Sequence, residues 1–273
     1  MSKDRFLSSA VMILTVLLAI LNDWIFLLVL LAFTIGGLYE FFYLIKKKGI
    51  PIYSYTGIVI GVLIPLSIFF KFQPTKGWEL LFILILLLTI FMMQIMRREN
   101  VNAIVGISTT LFGVLYVSWL LSFVIKIRFL MPGWDGVKLL GFIIIVTKCG
   151  DIGALLIGSS FGKYPLLPRI SPNKTIEGSA GSFIFSALSA LLFQDFIPEI
   201  FGLSALQIAL AGVVFGGIGQ LGDLSESLIK RDCNVKDSGK MLPALGGVLD
   251  TIDSVLFTAP VFYFFASSIL RSV

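Results

Sequence analysis

The side chains best suited to chemistry gather in the second half of the chain. The denser group runs Gly222, Asp223, Glu226, Ser227, Lys230, Arg231, Asp232, Lys236, Asp237, Ser238, Gly239, Lys240, then Pro243, Gly246, Gly247, Asp250 and Asp253. Asp223 lies three residues before Glu226 and four before Ser227, so on a helix all three share one face; Asp250 and Asp253 do the same. Carboxylates at the mouths of apolar helices are costly unless positive charge sits among them. A divalent cation answers that need, because Mg²⁺ takes oxygen ligands and is typically held by one or two carboxylates plus substrate phosphates. The interleaved Lys230, Arg231, Lys236 and Lys240 would then meet phosphate oxygens. The plainer alternative is a solvated charged loop that pairs with itself, with Asp250 and Asp253 as acids at a helix start.

The second group contains Lys148, Asp151, Gly158, Gly162 and Lys163, then Ser171, Pro172, Asn173, Lys174, Thr175, Ile176, Glu177 and Gly178. An ionisable residue beside a membrane span is a functional candidate by default, and Asp151 fits that description. Ser171 to Gly178 offers hydroxyls, a lysine and backbone N–H groups just before a helix, which suits a phosphate. It suits a capping turn equally well. The stretch from Gly158 to Tyr164 is one residue short of a Walker A loop and lacks its final Ser or Thr, so that reading is rejected.

Together, carboxylates, phosphate-type cations and a membrane setting point to phosphoryl or nucleotidyl transfer to or from a lipid. Such chemistry rests on positioning and charge neutralisation. The chain has no histidine, which excludes a His base, a His metal ligand and a catalytic triad. An attacking phosphate that is already anionic, with a second pKa near ~6, needs no protein base. Cys149 and Cys233 are too few and too separated for a disulfide framework or zinc site and read as free thiols.

These groups must be positioned by membrane helices. The chain is 57% apolar with only 14% charged residues, against roughly a quarter charged in a soluble domain, and its mean hydropathy is +0.99. Apolar runs long enough to cross ~30 Å of hydrocarbon fall at about 6–22, 24–45, 51–71, 78–96, 101–125, 136–157, 179–198, 203–222 and 252–270. The expectation is an all-α polytopic integral membrane protein with about nine transmembrane helices. The sixth run is interrupted by Lys148, Gly150 and Asp151. The first begins with Lys3 and Arg5 like a signal peptide but is too long for one, and reads as a retained span.

With the N-terminus cytoplasmic, fifteen of the 21 Lys and Arg residues fall on the cytoplasmic side and six on the other, a positive-inside bias. This places the polar stretches 148–178 and 223–250, and with them the site, at the cytoplasmic face. The net charge of +5 lies in turns between apolar runs, not on one polar face, so no nucleic-acid partner is expected. Residues 1–147 read as plain membrane helices and 148–273 as the region of the chemistry. No internal repeat supports an inverted-repeat transporter.

The 28 residues from Ser227 to Ser254 resemble the signature of phosphatidate cytidylyltransferases (CDP-diacylglycerol synthases): S-x-x-K-R, four residues, K-D-x-G, then L-P, G-G and D-x-x-D. Asp151, Gly158, Gly162, Lys163 and Ser171-Pro172-x-Lys174-Thr175-x-Glu177-Gly178 follow the same family pattern upstream. Two positions depart from it. Ala244-Leu245 stands where the family usually has Gly-His, and Thr251 where it usually has Arg. No role of those two residues carries over.

The resemblance implies transfer of the cytidylyl group of CTP to phosphatidate, giving CDP-diacylglycerol and pyrophosphate. It implies Mg²⁺ held by Asp223, Asp250 and Asp253, with room for a second cation. Lys230, Arg231, Lys236 and Asp237 would form the catalytic set. Asp151, Lys163, Ser171, Lys174, Thr175, Glu177, Ser227, Gly246 and Gly247 would hold substrate, with acyl chains entering from membrane lipid. A bacterial-type inner membrane is the expected location, and a homodimer is compatible with it. The alternatives are a CTP-dependent lipid kinase of the polyprenol or dolichol type, and an ion-coupled transporter.

Overall fold

The computed structural model describes residues 19, 21–72, 77–97, 101–239, 241 and 246–272. The expected first span at 6–22 lies, apart from its last residues, outside them. Each of the other eight apolar runs forms a helix: α1 (Asp23–Lys47), α2 (Ser54–Phe69), α3 (Trp78–Ile95), α4 (Ala103–Arg128), α5 (Trp134–Phe161), α6 (Ile176–Leu192), α7 (Ala205–Asp232) and α8 (Val248–Ser272). Helices satisfy every backbone polar group internally, which hydrocarbon demands. Among the described residues, six helices are long and apolar enough to cross a membrane. The other two, α2 and α6, have 16 and 17 residues, reaching about 25 Å when straight.

Two details differ from the sequence expectation. Helix α5 runs unbroken through Lys148, Gly150 and Asp151 to Phe161, and α7 continues past Asp223 to Asp232. Charges that find partners within the fold do not end a helix, so hydropathy alone places these boundaries too early. The other difference is a small hairpin, β1 (Pro165–Leu167) and β2 (Ser171–Thr175), antiparallel with Pro165 opposite Thr175 and Leu167 opposite Ser171.

The chain forms two compact units. The first comprises residues 1–125 and 232–252. In it α1 starts on an Asn22 cap, whose side-chain oxygen accepts from Trp24 N at 2.9 Å and Ile25 N at 3.2 Å. Gly57 and Gly61 of α2 lie against Phe42 and Leu38 of α1 so closely that a Cβ at either would overlap them. Leu38, Phe41, Phe42, Ile64, Leu86, Ile90 and Val117 form its buried core. Helix α4 contains a π-helical stretch, Val114–Trp119, from which Ser118 Oγ donates to the Gly61 carbonyl of α2.

The second unit comprises residues 126–231 and 253–273. Lipid tails are as apolar as leucine, so helices in this setting associate by close packing and interhelical hydrogen bonds. Small residues supply both. A Cβ at Gly181 of α6 would come 2.6 Å from the Gly153 carbonyl of α5, and one at Gly212 of α7 would come 2.8 Å from Ala190 Cβ of α6. Thr147 Oγ1 of α5 donates to Thr258 Oγ1 of α8 at 3.1 Å.

Candidate active site

In the second unit, Asp223 and Glu226 on α7 and Asp253 on α8 each offer a carboxylate oxygen, and these oxygens lie within 4.8 Å of one another. The i,i+3 spacing puts the α7 pair on one face. Asp253 joins them because Gly222 lets α7 approach the α8 backbone closely, with no room for a Cβ beside the Asp253 carbonyl and Ser254 Cα. Asp253 is 7% exposed and Glu226 wholly buried.

Three ammonium groups are threaded through this cluster. Lys174 Nζ, from strand β2, sits 2.6 Å from Asp223 Oδ2 as an ion contact without hydrogen-bond alignment. Lys230 pairs with Glu226 one turn along α7. On α5, Lys148 Nζ donates to Asp151 Oδ2 and to Ser254 Oγ, each at 3.0 Å. Ser254 Oγ donates in turn to Asp151 Oδ2 at 2.8 Å, while Ser254 N donates to Asp253 Oδ1 at 2.5 Å. The network thus holds four carboxylates, Asp151, Asp223, Glu226 and Asp253, against three ammonium groups. Three carboxylate oxygens this close together are of the type that could hold a hard cation.

Further contacts tie the hairpin and its flanks to the same unit. Arg231 Nε donates to the Ile170 carbonyl at 3.0 Å. Thr175 caps α6, its Oγ1 accepting from Gly178 N at 3.1 Å. Glu177 accepts from Lys163 N at 3.1 Å and Tyr164 N at 3.3 Å. Its own first-turn N–H, together with those two, holds the Glu177 carboxyl below the usual range. Glu177 and Thr175 therefore have a visible structural task here. Lys163 is exposed, Ser171 half-buried and Ser227 buried.

The remaining motif residues belong to the first unit. Lys236 and Asp237 are exposed. Asp250 Oδ2 accepts from Ser238 Oγ at 2.8 Å, Gly247 N at 2.9 Å and Ser238 N at 3.2 Å. Gly246 has φ +99°, a conformation open to glycine, and Gly247 packs too tightly for a Cβ. Thr251 Oγ1 donates to the Gly247 carbonyl at 3.1 Å. Lys240, Pro243, Ala244 and Leu245 lie outside the described residues. Cys149 and Cys233 are free thiols. Burial, and after it Asp232, pushes the Cys233 thiol up, away from thiolate chemistry.

Four residues that the structure brings into these networks had no role in the sequence reading. Glu226 and Lys148 stand among the chemistry-bearing groups of the sequence, but no ligand or catalytic role is expected for either. Ser254 and Glu40 had not been singled out for a role. Glu40 had the signal that could have found it, a carboxylate inside the apolar run 24–45.

Comparison with known proteins places relatives beside the chain. The chain is 32% identical over 99% of its length, and 98% of the relative's, to a protein named phosphatidate cytidylyltransferase from Synechocystis sp.. It is 34% identical to one of the same name from Bacillus subtilis over 84% of each chain. It is also 40% identical to the uncharacterized protein YnbB of Escherichia coli over 57% of this chain and 50% of that one. The profile of the cytidylyltransferase family matches residues 3–269, and this chain belongs to that family.

Proposed function

We propose that the protein transfers the cytidylyl group of CTP to phosphatidate, forming CDP-diacylglycerol and pyrophosphate. The observation that carries the proposal is the Asp223–Glu226–Asp253 cluster with Lys174 and Lys230 against it, in a chain whose full-length relatives are named for this reaction. A phosphatidate oxygen attacks the α-phosphorus of CTP. The bond from that phosphorus to the β-phosphate's bridging oxygen breaks, and pyrophosphate leaves with the electron pair. The nucleophile is already an anion, in keeping with a chain that lacks histidine.

Asp223 and Asp253, with Glu226 beside them, are proposed to hold Mg²⁺, with room for a second cation. Asp250, three residues earlier on α8, is included on the sequence pattern alone. When bound, the ion would neutralise charge on the triphosphate. Lys230, Arg231 and Lys236 are assigned to the phosphate charges, and Asp237 to the same loop. Lys163, Ser171, Lys174 and Thr175 are assigned to the nucleotide or lipid headgroup, with Asp151 and Ser254 orienting Lys148 and Asp253. The cytoplasmic N-terminus, a site at the cytoplasmic face of a bacterial-type inner membrane, the functional division near residue 147 and a homodimer belong to the same proposal.

The test is turnover of purified protein in detergent with phosphatidate, Mg²⁺ and CTP labelled separately at α and γ. Label from α in a liponucleotide, with pyrophosphate released, is expected. Label from γ in lipid would make the protein a CTP-dependent lipid kinase, and ion flux across sealed vesicles without nucleotide consumption would make it a transporter.

A further inference from the structure

Glu40 is the one carboxylate on α1 between Asp23 and Lys47, and it is 2% exposed. Such burial is costly for an acid unless its hydrogen bonds have a use. Its Oε2 accepts from Leu249 N, in the first turn of α8, at 2.9 Å, and from Ser238 Oγ at 3.2 Å. The same Ser238 hydroxyl lies 2.8 Å from Asp250 Oδ2. The backbone closes round this carboxylate: a Cβ at Gly239 or Gly247 would overlap it. Glu40 therefore grips both ends of the segment that carries Ser238 and Asp250, at the serine on one side and at the helix start on the other. All of these residues lie within the first unit.

We infer that Glu40 is a positioning residue for the reaction: through Ser238 and Leu249 N it sets the orientation of the Asp250 carboxylate. The contacts support this over a purely architectural role. A carboxylate that served only to cap α8 would need Leu249 N and no more. Glu40 instead shares the Ser238 hydroxyl with Asp250. Partners behind a ligating group commonly matter about 10–100-fold to metal affinity or activity.

The inference rests on the proposed metal role of Asp250, and the experiment separates the two. Turnover of Glu40→Ala, Glu40→Gln, Ser238→Ala and the Glu40→Ala/Ser238→Ala double variant is measured against Mg²⁺ and CTP concentration, alongside the melting temperature. Glu79→Leu is the control; it loses the acceptor of the Trp119 indole N–H, which donates to Glu79 Oε2 at 3.0 Å. Glu40→Ala is expected to raise half-saturating Mg²⁺ about tenfold or more. Glu40→Gln keeps an acceptor for Leu249 N and is expected to recover most of that shift. The double variant is expected to be no worse than Glu40→Ala alone.

Half-saturating Mg²⁺ unchanged in Glu40→Ala, with only the melting temperature lowered as in the control, would overturn the inference. If Glu40→Ala does not fold, Ser238→Ala decides in the same way. Wild-type turnover that needs no divalent ion would remove Asp250's metal role instead. The KM for CTP then judges Glu40: raised in Glu40→Ala sustains positioning, unchanged ends it.

Discussion

Lys174 Nζ lies 2.6 Å from Asp223 Oδ2, joining strand β2 of the hairpin to the acidic face of α7. Both side chains are partly screened from solvent, at 26% and 37% exposure, so the hairpin brings a cation to the carboxylates that would otherwise repel a triphosphate. Lys174→Met is expected to lower turnover about 10²-fold, the usual cost of losing one preorganised electrostatic partner. The melting temperature is expected to change little. Steady-state kinetics in detergent with a thermal-shift measurement checks both, and near-wild-type turnover would remove Lys174 from the site.

Glu226 and Lys230 form a pair one helical turn apart, the acid wholly buried and the lysine 12% exposed. Removing one partner strands the other charge, so Lys230→Met is expected to cost about 3–5 kcal/mol of stability. A Lys230→Met/Glu226→Leu double variant replaces both with apolar groups and is expected to regain most of that stability while remaining inactive. Denaturation curves beside turnover test the pair. A double variant with full activity would show that the pair is architecture alone.

Asp253→Asn keeps the shape of the side chain and removes its charge from the α7–α8 cluster. Half-saturating Mg²⁺ is expected to rise about tenfold or more, and a chelator is expected to abolish wild-type turnover until Mg²⁺ is restored. Mg²⁺ titration of both proteins is the measurement. Indifference of both to the chelator would refute the metal assignment.

Ser254 is fully buried and joins Lys148 to Asp151. Ser254→Ala leaves a part-buried ammonium and a part-buried carboxylate each short of a partner, at an expected cost of about 1 kcal/mol. Turnover is expected to fall as well, because the Asp253 carboxylate loses a neighbouring donor 3.2 Å away. Ser254→Thr retains the hydroxyl and is expected to be the milder change, read by melting temperature and kcat together.

Close approach of α7 to α8 is what gathers the three acids. Gly222→Ala would place a methyl against the Asp253 carbonyl and 3.0 Å from Ser254 Cα. Overpacking of this kind is expected to cost about 1–3 kcal/mol and, by moving Asp253 away from Asp223, to weaken Mg²⁺ activation. A stable Gly222→Ala protein with unchanged Mg²⁺ dependence would uncouple that packing from the site.

The amino-acid sequence alone determined that this chain lives among lipid, where its helices run within a few residues, and that the acids and cations of the family pattern gather after residue 147. Those properties are local: apolar length, the spacing of Asp223 with Glu226, and the ordered run from Ser227 to Ser254 can be read without knowing which helix meets which. The interruption expected at Lys148 to Asp151 and the helix end expected near residue 222 were misplaced because an ion pair's cost depends on a partner that local sequence does not name. Only the tertiary structure decided that Asp253 joins Asp223 and Glu226, that Lys174 arrives on a strand, and that Glu40, about 200 residues earlier in the chain, holds Ser238 and Leu249. Each of those is a long-range contact set by glycine-lined packing and by hydrogen bonds inside a low-dielectric interior, where a buried polar group's partner need not be near it in sequence.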